Sequence, residues 1–181
     1  MDLQPERLEY EGEEGITLVA DAWGDPADPP VILAHGGETR HSWGGTAQAL
    51  AERGWYAVAY DHRGHGESDW SEQSLYDMGH FALDMACLAR TFSRPPAVVG
   101  ASLGGMSAMW GAGELDVGMF SAIVLVDVTP RLNHAGVQKI FDFMHEHIES
   151  GFGSLEEAAD AVARYTGRPR RDDLSGLRKN L

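Results

Sequence analysis

Cysteine is almost absent from this chain. Cys87 is the single one among 181 residues, so neither an internal disulfide nor a multi-cysteine metal site can form. Basic residues are also scarce: 14 Lys and Arg face 28 Asp and Glu, for a formal net charge of −14. A nucleic-acid partner needs cations to neutralise phosphate, and a polybasic membrane anchor needs them too. Both are excluded on charge. The acidic start, Met1 to Glu14, lacks the apolar core of a signal peptide. No apolar run approaches the ~20 residues of a membrane span. The expected compartment is the cytoplasm. Internal repeats and low-complexity tracts are lacking as well. What remains is ordinary for a globular chain: 43% hydrophobic and 23% charged residues. At ~150 residues per domain, this is one domain with room for little more than a piece of a second.

Short apolar strands alternate with helical stretches through the first 130 residues. Glu6 to Trp23 reads as a hairpin turning near Gly12 to Gly15. Val31 to Ala34 reads as a strand covered on both faces, and Tyr56 to Tyr60, Ala97 to Gly100 and Ala122 to Val126 read as further strands. His41 to Arg53 reads as a helix, with Ser42 as its N-cap and Gly54 as its stop. Leu75 to Phe92 and Leu103 to Gly113 read as further helices. Strands alternating with helices predict an α/β fold, a mostly parallel sheet with helices on both faces. After Pro130 no strand is predicted. Val137, Ile140, Phe141, Met144 and Ile148 make one helical stripe, and Ser154 to Tyr165 a second helix opened by a Ser154/Glu157 capping box. The expected division is a core over 1–130 and the start of a helical cap over 131–181.

Three blocks carry chemistry. Gly100-Ala101-Ser102-Leu103-Gly104-Gly105 lies between a strand and a helix. That is the setting of a G-x-S-x-G nucleophile elbow, which presents a serine on a tight turn. A chance glycine-rich turn is the competing reading. His35-Gly36-Gly37 ends the Val31–Ala34 strand. Acyl transfer needs two backbone N–H groups aimed at an oxyanion, and Leu103 and Gly37 are the candidates. His35 then has a structural role beneath the loop. Asp61 to Asp69, sequence DHRGHGESD, follows the Tyr56–Tyr60 strand. Its histidines and acids invite a metal reading, but no converging further ligand is indicated, so a rigid hydrogen-bonded loop is expected and no metal. His145-Glu146-His147 has poor metal spacing on a helix. Cys87 reads as a buried, inert thiol.

In this order and separation, the three blocks resemble the α/β-hydrolase superfamily, in its serine-nucleophile esterase/perhydrolase-like branch. Leu125 to Pro130 is similar to the end of the sixth strand of that family. Serine at the elbow sets the chain apart from epoxide hydrolases and haloalkane dehalogenases, which place Asp there. The resemblance implies a hydrolase that attacks a carboxylic ester or related acyl substrate with Ser102 and uses no cofactor. A cofactor-free perhydrolase, a C–C bond hydrolase and a non-catalytic small-molecule binder are the alternatives. The family continues through two more strands, and its acid and histidine follow them. No histidine follows His147 here, so the triad acid and histidine are expected beyond Leu181, and the chain is expected to be the first two-thirds of a hydrolase. On that expectation it is inactive alone and shows an open sheet edge, which a homo-oligomer is one way to fill. Asp127 ends a strand near the elbow, where some family members carry the acid; the other reading is a cap at the exit toward the lid. Trp43, Phe141 and Met144 are candidates for the acyl pocket and equally for plain core.

Overall fold

The computed structural model describes residues 4–178. They belong to two compact units, Met1–Pro130 and Arg131–Leu181. The first is built on six strands: β1 Glu6–Glu11, β2 Thr17–Trp23, β3 Pro30–Ala34, β4 Tyr56–Tyr60, β5 Ala97–Ala101 and β6 Ala122–Val126. Their order across the sheet is β1-β2-β4-β3-β5-β6. β1 and β2 are antiparallel to each other, and β2 is antiparallel to β4. The other four run parallel. Helices α1 Gly44–Ala51, α2 Met78–Arg90 and α3 Leu103–Trp110 fill the crossovers.

The strand alternation sorts the core into two layers. Ile32, Ala34, Val58, Tyr60 and Val98 join Met85 and Leu88 of α2 and Ala108 of α3 on one face. Val31, Leu33, Ala57 and Ala59 join Ala47 of α1 on the other, with Trp43 and Leu50 packed alongside. All five residues of β3 and of β4 are buried, as strands covered on both faces require. The sheet ends in β6, where Val124 is 51% exposed and Val126 38%. The expected open edge is present.

Two element starts differ from the sequence reading. Arg40–Trp43 forms a 3-10 turn, and α1 begins only at Gly44, so Ser42 is not its N-cap. The Ser42 hydroxyl instead donates to Thr39 O at 2.9 Å. α2 begins at Met78, three residues later than expected, because the Asp77 carboxylate accepts the Gly79 and His80 N–H groups.

The second unit holds α4 His134–Glu146, α5 Leu155–Thr166 and the short α6 Ser175–Arg178. Asn133 caps α4 through the Ala135 and Gly136 N–H groups. Ser154 Oγ accepts the Glu157 N–H at 3.1 Å, while the Glu157 carboxylate takes the N–H of Gly153 rather than that of the cap residue. Phe143 stacks on Tyr165 at 4.3 Å. The Ile140, Phe141, Met144 and Ile148 stripe is half or more open to solvent, apart from Ile140 at 47% exposed.

Candidate active site

The turn from β5 into α3 is built around Ser102. Its φ of +44° and ψ of −109° lie where a β-branched or bulky residue is rarely found. The turn holds because β5 and α3 meet backbone to backbone: a Cβ on Gly100 would lie 2.5 Å from Gly105 N. Three hydrogen bonds pin it. Ser102 N–H donates to Val126 O at 3.0 Å, Met106 N–H to Ser102 O at 2.9 Å, and Gly104 N–H to His35 O at 3.1 Å. The Ser102 side chain is exposed. Leu103 is the first residue of α3, so its N–H has no intrahelical partner.

The β3 end faces this turn. A Cβ on Gly36 would lie 3.2 Å from Ser102 Cβ, and the adjacent Gly37 is open to solvent. Beneath the loop, two buried histidines settle each other's tautomers. The His62 backbone N–H donates to His35 Nε2 at 3.1 Å, so the His35 proton sits on Nδ1 and donates to Gly36 O at 3.0 Å. His62 Nε2–H donates to His35 O at 3.0 Å, and its Nδ1 accepts from Tyr60 Oη at 3.1 Å. Both rings are neutral in this arrangement. Burial, reinforced by the neighbouring imidazoles, lowers His35 to about 4 and holds His62 well below the ordinary histidine range. Among the described residues no peptide bond is cis. With the Gly36 carbonyl drawn onto His35, the N–H of the same trans peptide, on Gly37, points the opposite way.

On the other side, β6 runs parallel to β5, pairing Ala101 with Val126. Asp127 therefore follows the residue whose carbonyl holds Ser102. It is exposed and, like Ser102, has a positive φ, +54°.

The loop after β4 is tied down along its length. Ser68 Oγ donates to Asp61 O at 2.7 Å and accepts from Val19 N at 2.9 Å. Arg63, fully buried, forks onto both Asp84 oxygens at 2.6 and 2.8 Å and reaches Leu75 O and Glu13. Asp61 takes the Arg40 backbone N–H at 2.7 Å and an ion pair from the Arg40 side chain.

A family model for the alpha/beta hydrolase fold matches residues 29–164. The chain belongs to the α/β-hydrolase fold family. This α/β-hydrolase chain is 33% identical over 140 residues to a monoacylglycerol lipase of Mycolicibacterium smegmatis, covering 72% of the chain and 49% of that protein. It is 32% identical to epoxide hydrolase A of Mycobacterium tuberculosis, covering 87% of the chain and 50% of that protein. Among solved structures, an alpha/beta hydrolase from Novosphingobium aromaticivorans superposes with a TM-score of 0.74 at 25% identity, covering 90% of the chain and 57% of that one. The chain spans about half the length of the curated relatives it matches.

The fold thus brings Ser102, Leu103, the Gly36–Gly37 peptide and the start of Asp127 together at the C-terminal ends of β3, β5 and β6. Trp43 packs against the Val31/Leu33 layer, its indole N–H buried and unpartnered. Phe141 and Met144 lie on α4 in the second unit, 50% and 57% exposed. Sequence reasoning passed over Arg40, Asp21, Glu67 and Asp84. These pair across 19 or more positions, and no local spacing marks them; the one available cue was an arginine immediately after a loop that must hold its shape. No helix among the described residues is long and apolar enough to cross a membrane.

Proposed function

We propose that this chain carries the nucleophile and oxyanion half of a cytoplasmic serine hydrolase that cleaves carboxylic esters or related acyl compounds. The observation that carries the proposal is the strained, exposed Ser102 lying against the Gly36–Gly37 peptide. Strain of this kind costs on the order of 1–3 kcal/mol and persists where function uses it; a passive binder has no use for it. In the proposed reaction Ser102 Oγ bonds to the acyl carbon while its proton passes to a histidine. The carbonyl oxygen takes up negative charge, which the Leu103 and Gly37 N–H groups hold. The histidine returns the proton to the departing alkoxide, and water then hydrolyses the acyl-enzyme. Neither ring nitrogen of His35 or of His62 can take the Ser102 proton, since all are bonded elsewhere. The proposed base is a histidine beyond Leu181. Asp127 is proposed as the acid that orients it, on the strength of its place beside the elbow. The reaction so written uses no metal or organic cofactor.

A serine nucleophile gives an ester intermediate, which favours acyl chemistry over the epoxide opening named for one relative. A fluorophosphonate probe tests the proposal. Extending the reading frame past Leu181 is expected to give a protein labelled at Ser102 alone. Ser102→Ala is expected to cut p-nitrophenyl ester turnover by ~10³-fold or more. Undiminished turnover in that variant, or labelling elsewhere, overturns it.

A further inference from the structure

The arch that carries Gly37 is held at both ends by buried residues. At its start stands His35, with no exposed surface; at its end stands Arg40, 3% exposed; Gly37 and Glu38 between them are open. Arg40 is an unusual anchor. Its guanidinium meets three carboxylates, two from the loop after β4 and one from β2. It donates to Asp61 and to Glu67, and its Nε faces Asp21 Oδ2 of β2 at 3.1 Å, an ion pair too bent to be a hydrogen bond. The Arg40 backbone N–H donates to Asp61 as well, at 2.7 Å. Asp61 is fully buried, and its Oδ1 lies 3.9 Å from His35 Nε2. One carboxylate therefore faces both anchors of the arch.

We propose that Arg40 is a positioning residue for the Gly37 oxyanion donor: by holding Asp61 it fixes the far end of the arch and keeps the carboxylate charge from drawing a proton onto His35. This rests on the reading of Gly37 as an oxyanion donor. The chemistry is direct. His35 keeps the Gly36–Gly37 peptide in place only while Nε2 stays bare to accept the His62 N–H. A proton on Nε2 meets that N–H head on, and the ring must turn or the loop must open. The groups facing His35 set whether this happens. From the loop after β4 they are Asp61 and the rings of His62 and His65, whose centroids lie at 4.6 and 5.2 Å. From α3 the contact is the Gly104 backbone N–H, shared on His35 O with His62. From α2, Phe81 closes the ring cluster with an apolar edge. Among these, Asp61 is the one negative charge. Burial, with the His65 imidazole, holds His35 near 4, while the bond to the Gly36 carbonyl and the Asp61 charge pull the other way. Removing the Arg40 cation leaves Asp61 buried with its main counter-charge gone. His35, now facing an unscreened carboxylate, then binds its proton at a higher pH than before.

The experiment is 15N NMR of the 181-residue chain, following the His35 ring and the Gly37 amide against pH. It needs no turnover, so it reads the clamp separately from the Ser102 probe experiment, which reads the nucleophile. The unmodified chain is expected to show the Nδ1–H tautomer at neutral pH, with the Gly37 amide moving only as His35 titrates near 4. In Arg40→Met the common midpoint is expected to rise by about one pH unit or more, as for a histidine that gains an opposite charge. Arg40→Met combined with Asp61→Asn removes both charges and is expected to return it. A midpoint unmoved in Arg40→Met overturns the proposal, as does a raised midpoint that the double variant leaves raised. Should Arg40→Met not fold, Arg40→Lys decides. It keeps the cation without the fork, so the midpoint is expected to stay while Gly37 amide exchange quickens by ~10-fold. Unchanged exchange there overturns the proposal.

Discussion

Ser102, Asp127, Glu14 and Ser74 are the non-glycine residues with positive φ among those described, and the first two sit side by side at the ends of β5 and β6. A side chain added at Gly36 presses on this point. Its Cβ would stand 3.2 Å from Ser102 Cβ, so the serine or the arch must yield by a few tenths of an ångström. Gly36→Ala is expected to slow Ser102 labelling by ~10-fold while the chain stays folded, because misplacement of a fraction of an ångström weakens attack steeply. Equal labelling rates with the alanine variant would show that the arch has slack. The buried imidazoles make a second residue-scale prediction. His35 binds its proton near 4 in the folded chain, against an ordinary 6.5. Between those values the unfolded chain holds more protons than the folded one, so stability falls as pH drops through that window and is fully present above it. The expected loss from this group is up to about 3 kcal/mol between pH 7 and pH 4. Urea midpoints at the two pH values measure it, and His35→Asn should flatten that part of the dependence. An unchanged slope in the variant assigns the acid sensitivity elsewhere.

At the scale of elements, what the sequence disclosed and what it hid divide by range. β3, β4, β5 and β6 are short apolar runs between loops, and each is found within a residue or so of its expected place. The elbow is equally local: Gly100, Ser102 and Gly104 announce a strand-to-helix turn by spacing alone. Local capping was harder to read, since Asp77 lies inside the Leu75–Phe92 stretch that the apolar spacing assigns to one helix. α2 starts at Met78, capped by Asp77, whose carboxylate also holds His80 Nδ1 at 2.8 Å. The start of α1 is displaced by something distant. Arg40 is drawn into the sheet by Asp21 and Asp61, which tightens Arg40–Trp43 into a 3-10 turn and delays the helix. No reading of residues 38–46 by themselves contains that pull. Where a cap was legible, it can be tested. Ser154→Ala removes the acceptor for the Glu157 N–H at the start of α5 and is expected to cost about 1 kcal/mol of that helix's stability. Hydrogen exchange of the first-turn amides of α5 is the measurement, and protection equal to that of the unmodified chain would contradict it.

For the whole molecule, the decisive asymmetry is between the two ends of the sheet. One end is closed by the antiparallel β1–β2 hairpin, with charged side chains along β1. The other end is β6, with Val124 and Val126 open on the face that α1 covers farther along the sheet. An open apolar edge strand pairs readily with another copy. Val124→Lys is expected to reduce self-association in sedimentation experiments while leaving stability within about 0.5 kcal/mol, as for a surface change. Association that the lysine does not alter would place the sticky surface elsewhere. The strand order carries a further consequence, for the time during which the chain is being made. β3 is wholly buried, and its neighbours β4 and β5 both lie later in the sequence. While the ribosome is still adding residues 61–96, β3 has one flank unpaired and α3 does not yet exist to cover it. The β1–β2 hairpin can form at once, yet it docks on β4 and gives β3 no shelter. Until Ala97–Ala101 emerges, the nascent chain therefore displays the unpaired flank of β3 to whatever binds exposed strand edges. Slow codons or a stall within residues 61–96 should send more of this protein to holdase chaperones than the same delay placed after Val126.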